Sequence, residues 1–583
     1  MKRSGTFIYD GWEDDLQRSL YGSAVRRVGE PTIIMGLQDV TGKRGSADKL
    51  LEGAQTALTE MGIEDASCLL AIVTDNPNVM KAFRKNFVKW YPWIIALACW
   101  AHQLNTLVGE ICRYAAAKSA LQKANRTVSF FNSSHYWGGQ LKTAALAENV
   151  TRGLKKNCES RWYALILLAL SVWTHQTALS VLVARPDARK PADNLSPVNV
   201  DVICIVQDID DEFWPWIDRV IRVARPFVDA ITASEGRSVN LADCMLNLLE
   251  AARQLSTLDT KDDNTREYKD FLVHAKRVVD KRFRQMATPV HRLGLFLHPL
   301  CRKLAIVDAP GFTLRDVKRT VLQIAEKWSW TEEDGMRLAA DIGEYHACRE
   351  PFAGGQKDAS GWWKMVVAKD KAHPLKPFAI AILGLVPHSA EIVRLFSSCN
   401  GIQSPKRNCL AVETFSKLAK VRSSLVEEAN RRAPPKKPKQ TASADVEPAT
   451  TPATRITSEN STPLDRDESL ENWKAPMDGD ASPDAVSGVD AIFDDLERRL
   501  EDEEEENAND APEEDEEEEL PATISASATK QKKASELSLM HGDVYDFALV
   551  KKALESVVPR EEVQRVDVVK NRAPGGWNID ALL

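Results

Sequence analysis

A chain of 583 residues, 44% apolar and 27% charged, can bury a sizeable core and is long enough for several domains, which excludes an unfolded polymer as a whole. Its net charge of −8 conceals a division: residues 431–583 carry 36 Asp and Glu against 19 Lys and Arg, whereas residues 1–430 carry 48 against 57. The first part is therefore mildly basic, a balance that permits a polyanionic partner and is equally compatible with an ordinary solvated surface.

From the N-terminus, strand signals run over 6–9, 21–27 and 32–35. A helix is predicted over 46–61, a buried strand over 68–74, a helix over 79–90, a strand over 94–98 and a helix over 102–114. Three early strands followed by a β-α-β-α run imply an α/β sheet with a hairpin-rich edge, assigned to residues 1–114. From 115 to 345 nearly everything reads as helix, with Trp214, Trp216, Ile217, Val220, Ile221, Ala224 and Phe227 on one helical spacing; a long helical insertion describes it most economically. A last helical stretch, 376–425, closes the folded part within a block assigned to 346–425.

After Leu425 the composition changes. A basic nonamer, 431–439, precedes roughly 90 residues rich in Ser, Thr, Pro, Ala and acid, a composition that buries too little to fold. Residues 426–540 are accordingly expected to be a disordered, basic-then-acidic linker. Over 545–558 an amphipathic pattern resumes within a final segment, 541–583, either a docking helix or a solvated one. The nonamer is either a nuclear-import signal or a charged linker.

No window approaches 18 uninterrupted apolar residues, and Met1-Lys2-Arg3-Ser4 leads directly into strand-like sequence, so neither a membrane span nor secretion is expected. The ten cysteines are scattered without a Cys-x-x-Cys pair, which argues against a disulfide framework and against a four-cysteine zinc site, and places the chain in a reducing, intracellular setting.

Two acids stand where chemistry is commonly mounted. Asp10 ends the first apolar strand in Tyr9-Asp10-Gly11-Trp12, and Asp75 ends the strongest buried strand in Ile72-Val73-Thr74-Asp75-Asn76. Paired strand-end carboxylates can hold divalent metal for phosphoryl transfer. The structural alternative is a turn at Asp10-Gly11 and a helix cap at Asp75.

The surroundings are more specific. Thr74-Asp75-Asn76, followed by Cys99-Trp100-Ala101-His102, resembles the stretch around the second acid of hAT superfamily transposases, where a T-D-N tripeptide precedes a C-x-x-H at the start of a helix. Further resemblance follows in order. It runs through Phe130 to His135, then Cys158-Glu159-Ser160-Arg161-Trp162-Tyr163, similar to the family's T-R-W motif, and Val220 to Phe227. Last come Pro387 to Ala390, Arg394 to Ser397, Gly401 to Ser404 and Lys406 to Leu410, similar to the family's C-terminal dimerisation region. The likeness spans about residues 5–425.

This resemblance implies an RNase H-like mixed sheet interrupted by a large all-helical insertion, with a C-terminal helical dimerisation region, in a nuclear, DNA-binding protein that forms homo-oligomers. Asp10 and Asp75 would be the metal-binding carboxylates, with Mg²⁺ or Mn²⁺ as cofactor if the protein is active. Cys99 and His102 would belong to DNA-end handling or to plain packing in preference to zinc, which needs two further ligands. Trp162 would stack on a displaced base, with Arg161 on phosphate; its bland alternative is a core tryptophan.

Two departures from the family pattern weigh against full activity. The catalytic Glu normally stands directly before the Arg of the R-x-F-S element, and that position here is Val393. Glu391 lies two residues earlier, about 200° around a helix, and is a poor substitute. Only nine residues precede Asp10, which leaves no room for an N-terminal zinc finger. The expectation is a transposase-derived, dimerising DNA-binding protein with an incomplete triad; the alternative is an active transposase using Asp10, Asp75 and Glu391. A third reading, a non-transposase nuclease, is disfavoured by the dimerisation motif.

Overall fold

Five strands form one mixed sheet: β1 (Gly5–Glu13), β2 (Ser19–Arg26), β3 (Ile33–Asp39), β4 (Leu69–Thr74) and β5 (Ile95–Ala98), in the order β3-β2-β1-β4-β5. The computed structural model describes residues 4–400, 411–432, 487–509 and 538–555, apart from 15–16, 43–45, 64, 158–160, 191–195, 209–211 and 260–262. β1, β2 and β3 make an antiparallel meander, whereas β4 and β5 run parallel to β1. The parallel pairings require crossovers. They are supplied by α1 (Ala47–Glu60), started by the Ser46 cap, and α2 (Asn78–Trp90), while α3 (Trp100–Cys112) leaves the end of β5.

Strand alternation assigns the two faces. Phe7, Tyr9 and Ile72 pack with Leu50, Ala54, Met80, Phe83 and Phe87 of α1 and α2. Ile8, Val73 and Leu97 face the opposite way, into a core shared with α3 and the helical remainder of the chain. Every residue of β4 is buried, as a central parallel strand covered on both faces should be.

The stretch that follows is helical, beginning with α4 (Ala115–Ser133). The predicted apolar stripe of the central helix Phe213–Ser234 is buried at Trp214, Trp216, Ile217, Val220, Ile221, Ala224 and Phe227. The next helix, Leu241–Thr257, is started by a reciprocal Asn240–Asp243 capping box. Among the described residues the chain is thus an α/β protein, mostly helical, built around one five-stranded mixed sheet.

The chain then returns to the sheet. The Val386 amide donates to Thr6 Oγ1 at 3.0 Å, and the helix Ala390–Asn400 lies across β2 and β1. Gly22 permits this approach, because a Cβ there would stand 2.9 Å from both Ile392 and Phe396. Trp12 stacks on Phe396 at 5.2 Å and meets Phe415 of the helix Val412–Arg432 at 6.3 Å. Leu383, Leu395 and Phe396 are core residues of this return, so their apolar faces serve the chain's own packing.

The tail differs from the sequence expectation of an unstructured tract over 426–540. The helix Val412–Arg432 runs past 426, and Ser487–Asn509 forms a helix that packs on α3 and α4. The physical reason is a stripe of Val489, Ile492, Phe493, Leu496 and Leu500, all buried, which repeats at helical spacing through an otherwise acidic sequence. Farther on, Ser538 Oγ and the Met540 amide donate to Asp280 at 2.7 and 3.0 Å, and Tyr545 packs against Phe283 and Phe312. The helix Phe547–Glu555 buries Val550 and Ala553; residues 556–558 of the predicted pattern lie outside the described residues, as do 158–160, 401–410 and most of the basic nonamer.

No single helix among the described residues is long and apolar enough to cross a membrane. The most apolar pair, Trp162–Thr174 and Gln176–Val183, bends by 61° and buries Leu165, Leu168 and Leu179 in the core.

Candidate functional site

Asp10 and Asp75 come together at the centre of the sheet. β1 and β4 pair in the register Thr6↔Ala71, Phe7↔Ile72, Ile8↔Val73, and two further residues bring Asp10 alongside Asp75. Both share the face of Ile8 and Val73, the one turned towards the helical part of the chain.

The two environments differ in detail. One Asp10 oxygen accepts the Gly11 amide at 3.0 Å, and Ser389 also bonds its carboxyl. Burial nevertheless pushes Asp10 above the usual carboxylate range. Asp75 is driven up by burial and then by the neighbouring charge of Asp10, against the opposing pull of Arg84 and Arg499. Its Oδ1 is buried and has no hydrogen-bond partner among the described residues. Two carboxylates so placed resist carrying two negative charges, and an oxygen lone pair is left directed into the site.

Arg84 fixes the backbone beneath Asp75. Its guanidinium donates to Thr74 Oγ1, to the Asp75 carbonyl and, at 2.6 Å, to Asn76 Oδ1, so one side chain clamps all three residues of the tripeptide. Burial lowers the Arg84 pKa to about 10, well within the range where the group stays charged. Sequence reasoning passed over this residue. The available signal was a lone arginine on the apolar face of a helix, four residues after Met80 and three before Phe87.

Cys99 is buried, and its sulfur accepts from the Ser389 amide at 3.3 Å and from Ser389 Oγ at 3.4 Å. Cys99 therefore joins the start of α3 to the returning C-terminal segment, which the Trp100 amide also binds through the Pro387 carbonyl at 2.9 Å. Burial raises the Cys99 thiol pKa. His102, one turn on, is lowered to about 4 by burial and by the charges of Arg499 and Arg161, and so is neutral at pH 7. Among the described residues no three His, Cys, Asp or Glu side chains gather as a metal-ligand group.

Arg161 acts electrostatically on both Asp10 and His102 and bonds the Tyr163 hydroxyl at 2.6 Å. Trp162 begins the next helix with one ring face against Gly109 of α3, where a Cβ would come within 2.7 Å of the indole. Phe493 of the helix Ser487–Asn509 also packs on it, the ring centroids 4.9 Å apart at 59°. Trp162 is thus buried, and one of the groups burying it belongs to the acidic tail.

Glu391 is engaged elsewhere. Arg26 Nη1 lies 2.8 Å and Arg237 Nε 3.2 Å from its Oε1, which Arg394 also reaches. Burial alone would raise the Glu391 pKa; Arg394, Arg26 and Arg237 reverse that and hold it below the ordinary glutamate value. Its charge is not among those acting on Asp10 or Asp75. The structure therefore brings together Asp10, Asp75, Arg161, Cys99 and His102, and sets Glu391 into a separate cluster of arginines.

No protein-family model matches this chain, and no curated protein sequence matches it.

Proposed function

We propose that this chain is an hAT-transposase-derived protein with an RNase H-like core, which binds DNA over Arg161, Trp162 and His102, forms homo-oligomers through its C-terminal region, acts in the nucleus and has impaired strand-cleavage chemistry. The observation that carries the reading is the juxtaposition of Asp10 and Asp75 on adjacent parallel strands of a β3-β2-β1-β4-β5 sheet, beside the helix-starting Cys99-x-x-His102 motif. A helical insertion and a C-terminal segment that returns to the sheet at Ser389 accord with it.

The residues present fit a hard divalent cation. Asp10 and Asp75 supply carboxylate oxygens, and the unpartnered Asp75 Oδ1 is the atom best placed to coordinate it. Bound there, Mg²⁺ or Mn²⁺ would activate a water or a 3′-hydroxyl and neutralise charge on the leaving oxygen. The chain's own contributions are positional: Arg84 holds Asp75, and Ser389 and Gly11 hold Asp10.

Glu391 is the reason to expect impairment, because its carboxylate is held by Arg26, Arg237 and Arg394 and the family's acid position is Val393. The unpartnered oxygen of Asp75 favours the second reading, an active transposase. Full-length protein incubated with Mn²⁺ and supercoiled plasmid separates them. Under the first reading a fluorescent duplex binds and the plasmid remains intact. Nicking that Asp75→Asn abolishes would establish the second, and absence of DNA binding would defeat both.

A further inference from the structure

The helix Ser487–Asn509 lies over the site face of α3 and α4, and its residues match what a nucleic acid would present there. Phe493 packs on Trp162 with the two rings inclined at 59°, covering an indole that a base would have to reach in order to stack. Lys118 of α4 stands 4.8 Å from the centre of the Phe493 ring, as a cation does over a stacked π-system. Glu503 lies 2.9 Å from Nη2 of Arg282, a buried arginine that Glu110 also pairs, and Asp490 accepts from Gln122. Arg499 acts on both Asp75 and His102, which brings the middle of this helix up to the carboxylate pair.

Composition agrees with geometry. The helix holds ten Asp and Glu against two Arg, and the cations it meets on the body of the protein are Lys118 and the buried Arg282. Its five buried apolar residues anchor it, and the conformational entropy of ordering the helix opposes them, so docking is a small difference between large terms. Such a contact is displaceable, yet on the same chain it acts at a high effective concentration.

We propose that the helix Ser487–Asn509 is an intramolecular nucleic-acid mimic that closes the DNA-binding face and has to leave before DNA reaches Trp162 and the Asp10–Asp75 pair. This inference rests on the DNA-binding reading given above. Its prediction is that the resting chain binds DNA weakly and that freeing the helix strengthens binding.

The test uses the full chain and a fluorescein-labelled, mixed-sequence single-stranded oligonucleotide, followed by anisotropy at fixed salt. The paired substitutions Phe493→Ala and Leu496→Ala should tighten binding at least about tenfold, and Glu503→Gln, which leaves the apolar anchor intact, about two- to threefold. Trp162→Ala added to the first pair should remove most of that gain. In the unaltered chain, saturating oligonucleotide should speed hydrogen exchange of the amides over 489–500. Equal, measurable affinities for the unaltered and freed chains, with exchange over 489–500 unchanged, would overturn the mimic while leaving DNA binding intact. If no form binds at low salt, while circular dichroism shows all of them folded, the DNA-binding reading itself fails and the mimic with it.

Discussion

Glu391 Oε1 accepts from Arg26 Nη1 at 2.8 Å, tying the first turn of the returning C-terminal helix to the end of β2. Arg237 and Arg394 converge on the same oxygen, and Glu391 and Arg26 are both nearly inaccessible to solvent. Removing the charge leaves the buried Arg26 guanidinium uncompensated, the costly way to break such a pair, while Arg237 and Arg394 remain partly solvated. Glu391→Gln should therefore lower stability by about 3 kcal/mol in urea unfolding. Its effect on Mn²⁺ binding should be small. A loss below about 1 kcal/mol combined with lost metal binding would instead place Glu391 in the site.

Asp75→Asn should have the opposite sign. A carboxyl raised to about 8 in the folded state is mostly protonated at pH 7 and costs stability there, because the unfolded chain would be ionised; an amide of the same size has no proton to take up. The expected gain is at least about 1 kcal/mol in metal-free buffer. Millimolar Mn²⁺ should raise the melting temperature of the unaltered protein and leave that of the variant unmoved. An equal rise in both would show that the cation binds away from Asp75.

Arg84 is a positioning residue, and its replacement should show two effects. Arg84→Gln strips donors from Thr74 Oγ1 and the Asp75 carbonyl, a loss of about 2 kcal/mol. The backbone under Asp75 then loosens, so the Mn²⁺-induced rise in melting temperature should shrink by more than the stability loss explains. Arg84→Lys should recover part of the stability but little of the metal response, because an ammonium cannot reproduce the forked geometry. An undiminished Mn²⁺ response in Arg84→Gln would reduce Arg84 to a core residue.

Leu418, Val421 and Leu425 are exposed at three- and four-residue spacing along the helix Val412–Arg432, forming one apolar stripe. This stripe, and not the buried Leu395 and Phe396, is the surface available to a second copy. Light scattering at micromolar concentration should report a dimer that Leu418→Asp with Leu425→Asp converts to monomer. A monomeric unaltered chain would remove the C-terminal region as an oligomer interface.

The sheet was legible because its signals are local. Short apolar runs in β1 and β4 and a 3.6-residue repeat in the helix Phe213–Ser234 each declare their element without reference to the rest of the chain. The pairing of Asp10 with Asp75 is a consequence of register: Asp75 follows the last residue of β4, whereas Asp10 lies inside β1, which stays paired with β2 as far as Glu13 and so runs past the strand end and turn expected at Asp10-Gly11. Less legible was the helix Ser487–Asn509, where ten acids dominate the composition and five apolar residues make the contact. Average composition measures solvation, whereas spacing measures the capacity to dock. The Arg26–Glu391 pair was beyond sequence reasoning altogether, since its members are 365 residues apart and meet only when the C-terminal helix crosses β2.

Three buried histidines and the partly exposed His102 set the acid limit of the fold. His291 is lowered to about 3, and His102, His298 and His388 to about 4, with burial the largest cause in each. His291 lies against Trp100 with ring centroids 4.9 Å apart, and His388 bonds the Gly236 carbonyl at 3.3 Å, so protonation would place charge in the core and beside the returning segment. For a base whose folded pKa is depressed, the unfolded chain takes up protons first as pH falls. Stability is therefore full above the unfolded value near 6.5 and declines between that value and about 4 or 3. At pH 5 each such histidine should cost about 2 kcal/mol relative to pH 7.5. Urea midpoints measured across this range should fall steeply below pH 6.5, and His291→Gln should flatten the slope while lowering the pH 7.5 midpoint only slightly. A midpoint independent of pH from 7.5 to 5 would mean that these imidazoles protonate as readily in the fold as outside it.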